Sequence, residues 1–475
     1  MKKIPSPLVS LFPIVFLVGM LFFTIRTFGS DALSGGSQIS LLVTTALCVF
    51  IGIVFYRIPW KDYEIAITNN IAGVSSAIII LLIIGALSAA WMISGVVPTL
   101  IYYGMQIIRP DFFLASTCLI CALVSVMTGS SWTTIATIGI ALMGIGKAQG
   151  FEEGWIAGAI ISGAYFGDKV SPLSDTTVLA ASVTDTPLFR HIRYMMITTI
   201  PSLAITLIIF TVMGLTYETN DTQQIAEFAA SLDAKFNLTP WLLIVPVVTG
   251  IFIARKVPPI ITLFLSTLLA SVFSLIFQPD LLHEISGSRD IFKGIMMSLY
   301  GSTGLQTDSA MLTDLVATRG MAGMMNTIWL ILCAMCFGGA MTASGMLGSI
   351  TSIFVRFMKN TVSMVASTVC SGLFLNLTTA DQYISIILTG NMFSNVYKKK
   401  GYESRLLSRT TEDSVTVTSV LIPWNTCGMT QATILSVSTL TYLPYCFFNL
   451  ISPLMSILVA AIGYKIIKKP VNNPV

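Results

Sequence analysis

Eight long apolar runs recur along the chain, at 8–28, 38–56, 71–94, 194–216, 240–254, 258–277, 324–345 and 442–464. A helix needs about 20 such residues to cross the hydrocarbon core of a bilayer. Shorter or interrupted apolar segments lie between them, at 96–108, 112–128, 130–146, 154–180, 291–306, 361–378, 382–397 and 410–438. Together they predict roughly a dozen crossings or half-crossings. Only 10% of the residues are charged and the mean hydropathy is +0.83, whereas soluble domains carry about 25% charge. A soluble fold could not cover its surface with so few charges, so lipid must be the solvent for much of it. The expected fold class is all-α and polytopic. The whole of 1–475 reads as one membrane domain with no soluble module, and its longest polar stretches, 217–239 and 278–290, read as loops.

Several function classes drop out. The net charge is +4 with no long basic tail, so nucleic acid is not an expected partner. The two histidines, His191 and His283, are far apart, which argues against a histidine metal site or triad. No nucleophile–base–orienter set is visible, so an enzyme is not expected, nor is a bound cofactor. Cys118 with Cys121, and Cys333 with Cys336, have C-x-x-C spacing but sit in apolar runs without further ligands, as small buried residues do.

Basic residues set the expected orientation. Lys2 and Lys3, Arg57 and Lys61, Arg190 and Arg193, Arg255 and Lys256, and Lys465, Lys468 and Lys469 all flank apolar runs on what would be the cytoplasmic side. Both termini are then cytoplasmic, and the apolar stretch from Leu8 to Phe23 is a retained first helix. The loop 217–239, with Glu218, Asp221, Glu227 and Asp233, belongs outside.

Sliding the chain by 251 positions superimposes 128–179 on 379–430. Thr128 then meets Thr379, Gly150 meets Gly401, Glu152 meets Glu403 and Pro172 meets Pro423. Each copy reads as a Ser/Thr turn, an apolar run, a Gly-aromatic-Glu loop and a helix broken near proline. The loop Lys147–Glu153 is net acidic, while Lys398–Glu403 is strongly basic, so the two should face opposite sides. That is an inverted repeat, with expected cores at 112–216 and 361–464 linked by 217–360, and such repeats place a binding site near the bilayer midplane.

The chemistry concentrates in the breaks. Gly163 to Thr177 contains Asp168, Lys169, Ser171, Pro172, Ser174, Asp175 and Thr176. A continuous helix would bury three charges at about 2.5–3.5 kcal/mol each and lose an amide at Pro172. A broken helix lining a cavity costs less. Its carbonyls, hydroxyls and carboxylates form a hard-oxygen shell suited to a small cation. The second half offers Glu412 and Asp413, then Pro423-Trp424-Asn425-Thr426. Asp413 reads either as a helix cap or as part of the site. Ser130, Ser131 and Thr133 in one half, and Thr379 and Asp381 in the other, fall where two short apolar runs meet, as at the tips of re-entrant hairpins.

Phe166–Thr177, Leu377–Tyr383 and Ile422–Gly428, with Gly129-Ser130-Ser131-Trp132-Thr133, resemble the NhaC family of sodium/proton antiporters over most of the chain. The resemblance implies a bacterial inner-membrane secondary transporter with paired re-entrant hairpins and broken helices, in a superfamily whose members often form homodimers. It implies Na⁺ and H⁺ as the transported ions, with Asp168, Asp175, Asp381 and Asp413 as ion- or proton-binding groups. Asp168, Asp175 and Asp381 would be the Na⁺ ligands. Ser171, Ser174, Thr176, Asn425 and Thr426 would supply neutral oxygens, and the hairpin-tip residues Ser130, Ser131, Thr133 and Thr379, read from their own pattern, join them as candidate substrate-binding groups. Val178 and Val415 depart from the family's expected polar residue and glycine. The same family includes a malate/lactate branch, so exchange of a small organic anion or an amino acid is the second expectation.

Overall fold

The computed structural model describes residues 5–28, 35–217, 222–307, 312–313 and 316–467. Lys2, Lys3, Glu218, Asp221, Lys468 and Lys469 lie outside the described residues. Every regular element among the described residues is helical. Among the described residues, eight helices are long and apolar enough to cross a bilayer: Pro7–Phe28, Gly36–Tyr56, Ser75–Ile93, Pro110–Thr128, Leu188–Thr216, Pro259–Phe277, Met321–Ala343 and Thr361–Thr379. Two further pairs, Ile225–Lys235 with Pro240–Ala254 and Thr439–Tyr445 with Phe447–Ile462, meet the same test across bends of 91° and 55°. Large side chains such as Phe22, Phe55, Ile208 and Ile276 remain exposed on these helices, as they must where lipid replaces water.

Helices also form where the hydropathy pattern gave none, Met346–Arg356 among them. Thr222–Lys235 occupies most of the stretch read as an external loop, and Pro279–Ser286 occupies part of the second. They hold each other through Lys235 Nζ and the Glu284 carboxylate at 2.9 Å. Trp60–Gly73 carries Lys61, Asp62 and Glu64 on its exposed side, which masks its helical pattern.

One order of elements occurs twice. Phe113–Thr128 turns back into a helical run from Ser131 to Ala148, followed by Glu153–Val170, a break, and Asp175–Val183. Thr361–Thr379 turns back into Gln382–Lys399, followed by a run from Ser404 to Leu421, a break, and Thr426–Leu435. A shift of 251 positions carries Ser131 onto Gln382, Ala148 onto Lys399, Glu153 onto Ser404 and Asp175 onto Thr426. The helix Leu188–Thr216, about 43 Å long at 1.5 Å per residue, measures the separation of the two equivalent loops. Just ahead of its start, Asp185 pairs with Lys398 at 3.5 Å and Thr186 bonds Ser404 at 3.0 Å. Just beyond its end, Tyr217 stacks on Phe151 and accepts a hydrogen bond from the Glu152 amide at 3.2 Å.

Small residues bring the site-bearing helices together. Gly167 lies so close to Phe113–Thr128 that a Cβ there would fall 2.6 Å from the Val126 backbone nitrogen. Ser125 uses the same proximity to donate to the Ala164 carbonyl at 2.6 Å. Close backbone approach is how helices associate where lipid removes the hydrophobic drive.

Candidate functional site

Four chain interruptions converge, and each is terminated by short polar side chains. In the first hairpin, Gly129 takes a left-handed φ of 68° and ends Phe113–Thr128. Ser130 then caps the returning helix by accepting from the Thr133 amide at 3.2 Å. In the second, Ala380 takes φ 56° and Asp381 accepts from the Ile384 amide at 2.9 Å. The tip bonds repeat atom for atom. Thr128 Oγ1 reaches the Ser130 carbonyl at 3.1 Å and Thr134 Oγ1 at 3.2 Å, and Thr379 Oγ1 reaches the Asp381 carbonyl at 3.0 Å and Ser385 Oγ at 2.7 Å.

Each break is fastened to the hairpin of its own half. Glu153–Val170 ends at Ser171, a tight turn through Pro172 and Leu173 is closed by the Ser174 amide donating to the Ser171 carbonyl at 3.2 Å, and Ser174 caps Asp175–Val183. Ser171 Oγ donates to the Val126 carbonyl at 2.8 Å. Asp168, only 6% exposed, receives the Ser131 hydroxyl at 2.7 Å on one oxygen and the Ser174 hydroxyl at 2.6 Å on the other. In the second half, Asn425 caps the half-helix at Cys427 and donates to the Asn376 carbonyl at 3.1 Å. The Thr426 amide donates to the Ala380 carbonyl at 2.8 Å and its hydroxyl to Asp381 Oδ2 at 3.1 Å. Asp381 is 2% exposed. Each carboxylate oxygen of Asp168 and Asp381 thus accepts at least one hydrogen bond, which fixes its direction.

A cavity of about 550 Å³ opens between these parts. Its wall holds Asp168, Asp175 and Asp381 together with Ser130, Thr133, Thr176 and Thr426. Asp175 is exposed, at the N-terminus of its half-helix, where the helix dipole favours a carboxylate. Among the described residues no three His, Cys, Asp or Glu side chains gather as a metal-ligand cluster. The three aspartates therefore share a cavity without forming one three-carboxylate cage, and a cation here would take its remaining oxygens from hydroxyls and carbonyls. Ser131, Ser171, Ser174, Thr379 and Asn425 stand behind the wall, holding carboxylates, caps and tips in place.

Asp413 lies elsewhere. It is fully buried in a π turn, Glu412–Thr416, in a helical run that starts at Ser404 instead of at the acids. Its Oδ1 accepts from Lys169 Nζ and from Thr198 Oγ1 at 3.0 Å. Lys169 also donates to Ser452 at 2.9 Å. Arg409, with no exposed side-chain surface, places Nε 3.8 Å from Asp413 Oδ2 and stacks its guanidinium 4.7 Å from the Tyr194 ring centre. A buried lysine next to Asp168 demands an anion, so a partner for Lys169 is inferable from sequence; which acid supplies it is not. Lys256 escapes a reading of the sequence as a site residue. It lines the cavity from the turn after Ile244–Ala254, and in the sequence it looks like any loop-flanking base.

Residues 163–464 match the model of a family described as the Na⁺/H⁺ antiporter family. The chain is similar to the Na⁺/H⁺ antiporter NhaC of Alkalihalophilus pseudofirmus, 36% identical over 89% of this chain and 90% of the relative. It is also similar to the malate-2H⁺/Na⁺-lactate antiporter of Bacillus subtilis, 34% identical over 100% of this chain and 99% of that one. The arginine/ornithine antiporter ArcD of Halobacterium salinarum is 33% identical over 100% of this chain and 96% of its own length.

Proposed function

Because the chain belongs to the Na⁺/H⁺ antiporter family, we propose that it is a secondary transporter exchanging Na⁺ for H⁺ by alternating access, with Asp168, Asp175 and Asp381 as the groups for which the two ions compete. The carrying observation is one cavity walled by carboxylates and hydroxyls from both halves of the chain. An ionised carboxylate with neighbouring hydroxyl and carbonyl oxygens replaces the water around Na⁺. Protonation of the same oxygens ejects the ion, so the two cannot be carried together.

The two copies, 112–216 and 361–464 with 217–360 between them, act as an inverted repeat within one transport domain. Support comes from the opposite ends of Leu188–Thr216 at which the equivalent loops sit. Half-helices meeting midway in such a repeat are the expected frame for alternating access. The basic loop ends, including Arg190, Arg193, Lys398 and Lys465, would face the cytoplasm of a bacterial inner membrane, with both termini on that side. A homodimer is the assembly the resemblance implies.

The direct test replaces Asp175 with Asn and follows pH-dependent ²²Na⁺ exchange in proteoliposomes; unchanged exchange would remove Asp175 from the mechanism. A second reading, exchange of a small organic anion or amino acid, is favoured by the size of the cavity and by Lys256 in its wall. Uptake of labelled malate, lactate and arginine with and without a Na⁺ gradient separates the readings, since Na⁺/H⁺ exchange alone predicts uptake of none of them.

A further inference from the structure

Behind the cavity lies a charge cluster that the competition at the aspartates does not use. Lys169 and Arg409 are both buried without exposed side-chain surface, and among the described residues Asp413 is the carboxylate that forms ion pairs with both. A guanidinium keeps its charge at any working pH. Arg409 has no hydrogen-bond partner on Nε, Nη1 or Nη2, and the equally buried Glu412, three residues on, has the Thr416 hydroxyl beside its carboxylate. Thr411 Oγ1 and His191 Nε2 are unpartnered in the same region. The charged groups acting on Glu412 are Asp168 and Lys169 from Glu153–Val170 and Asp413 from its own run, and Arg409, one turn earlier on that run, pairs with Asp413. Beside them are His191 and Tyr194 from Leu188–Thr216, and Tyr397 from Gln382–Lys399. Phe447–Ile462 contributes the neutral Ser452 and Asn449.

We infer that Glu412 binds a proton of the exchange cycle at a site separate from the cation cavity, and that its protonation weakens cation binding at Asp168. This rests on the exchange reading above. With Glu412 ionised, two cations face two carboxylates and the cluster is neutral. When the carboxylate takes up one proton, the cluster carries one uncompensated positive charge. Lys169 adjoins Asp168 in the chain, so that charge is felt at the cation site and opposes Na⁺. By reciprocity Na⁺ at Asp168 favours the ionised Glu412, which is the sign antiport requires. Glu412 is absent from the cavity wall, and a proton, unlike Na⁺, needs only hydroxyls or water to reach it. The π turn that carries it is an irregular helical element of the kind often found at functional sites.

The test is equilibrium ²²Na⁺ binding to the purified full-length protein across pH. The slope of log Kd against pH counts the protons that Na⁺ displaces. Glu412→Gln should bind Na⁺ about tenfold more weakly than wild type at alkaline pH, the order of a unit-charge interaction across a buried site, and should lower the size of that slope by about one half over the pH range in which Glu412 titrates, the most that a tenfold coupling displaces. Glu412→Asp should keep the wild-type slope. An unchanged slope in folded Glu412→Gln overturns the proposal. So does the same loss of slope in Glu412→Asp, which would make packing the cause. Absence of Na⁺ binding by the wild-type protein would instead refute the exchange reading.

Discussion

Asp168 shows how a single carboxylate is made ready. Its two oxygens are held by Ser131 and Ser174, one from the hairpin and one from the break. Hydrogen bonds to charged groups contribute about 1.5–3 kcal/mol. Ser174→Ala should therefore raise the Na⁺ KM by roughly 10–100-fold, measured as ²²Na⁺ uptake against Na⁺ concentration, while the folded yield stays near wild type. A KM unchanged by the substitution would mean that the serine does not orient the carboxylate. Asp413 behaves differently: Asp413→Asn leaves Lys169 buried without its anion, which costs about 3–5 kcal/mol. Thermal unfolding in detergent should show a lower midpoint, and the apolar pair Lys169→Met with Asp413→Leu should recover much of it. Asp168, Asp175 and Asp381 can be picked from sequence because an acid in an apolar chain is expensive anywhere but a cavity or an ion pair. Which of those two fates each acid meets is decided by neighbours hundreds of positions away, and so the sequence alone groups Asp413 with the cavity acids.

At the scale of elements, the breaks are encoded locally. Pro172 and Pro423 cannot donate an amide, and Ser174 and Asn425 cap the half-helices that begin just after them. These positions are legible because the signals sit within a few residues. Trp60–Gly73 and Thr222–Lys235 are not, since polar residues on an exposed helix face hide the periodicity that marks a span. Packing of the intact helices depends on absent side chains. Gly167→Val would press three added carbons against Phe113–Thr128, where a Cβ alone already falls 2.5 Å from the Ala122 carbonyl oxygen, and overpacking of this kind typically costs about 1–3 kcal/mol. A lower unfolding midpoint and displaced Ser131–Asp168 geometry are expected, read together as lost thermal stability and lost exchange; full stability in Gly167→Val would contradict the close approach.

For the whole molecule, the doubled order of elements and the opposite placement of its two loops give a topology that labelling can check. With Cys370 replaced by Ser, Lys147→Cys should react with a membrane-impermeant maleimide only in right-side-out vesicles, and Lys398→Cys only in inside-out ones. Reaction of both from the same side would contradict the inverted arrangement. The repeat is visible in sequence as a faint shift of 251 positions, because the caps, glycines and loop acids that set element ends recur while the apolar filling has diverged. The size of the cavity and the presence of Lys256 in its wall are not visible there, as both arise from turns brought in from other parts of the chain. The central claim is that carboxylates from both halves serve one exchange site. It is tested by ²²Na⁺ uptake into proteoliposomes with an acidic interior, comparing the wild type with Asp168→Asn and Asp381→Asn. The wild type should accumulate Na⁺ as protons leave, and each single substitution should abolish that accumulation; wild-type accumulation in either variant would show that the two halves do not share the work.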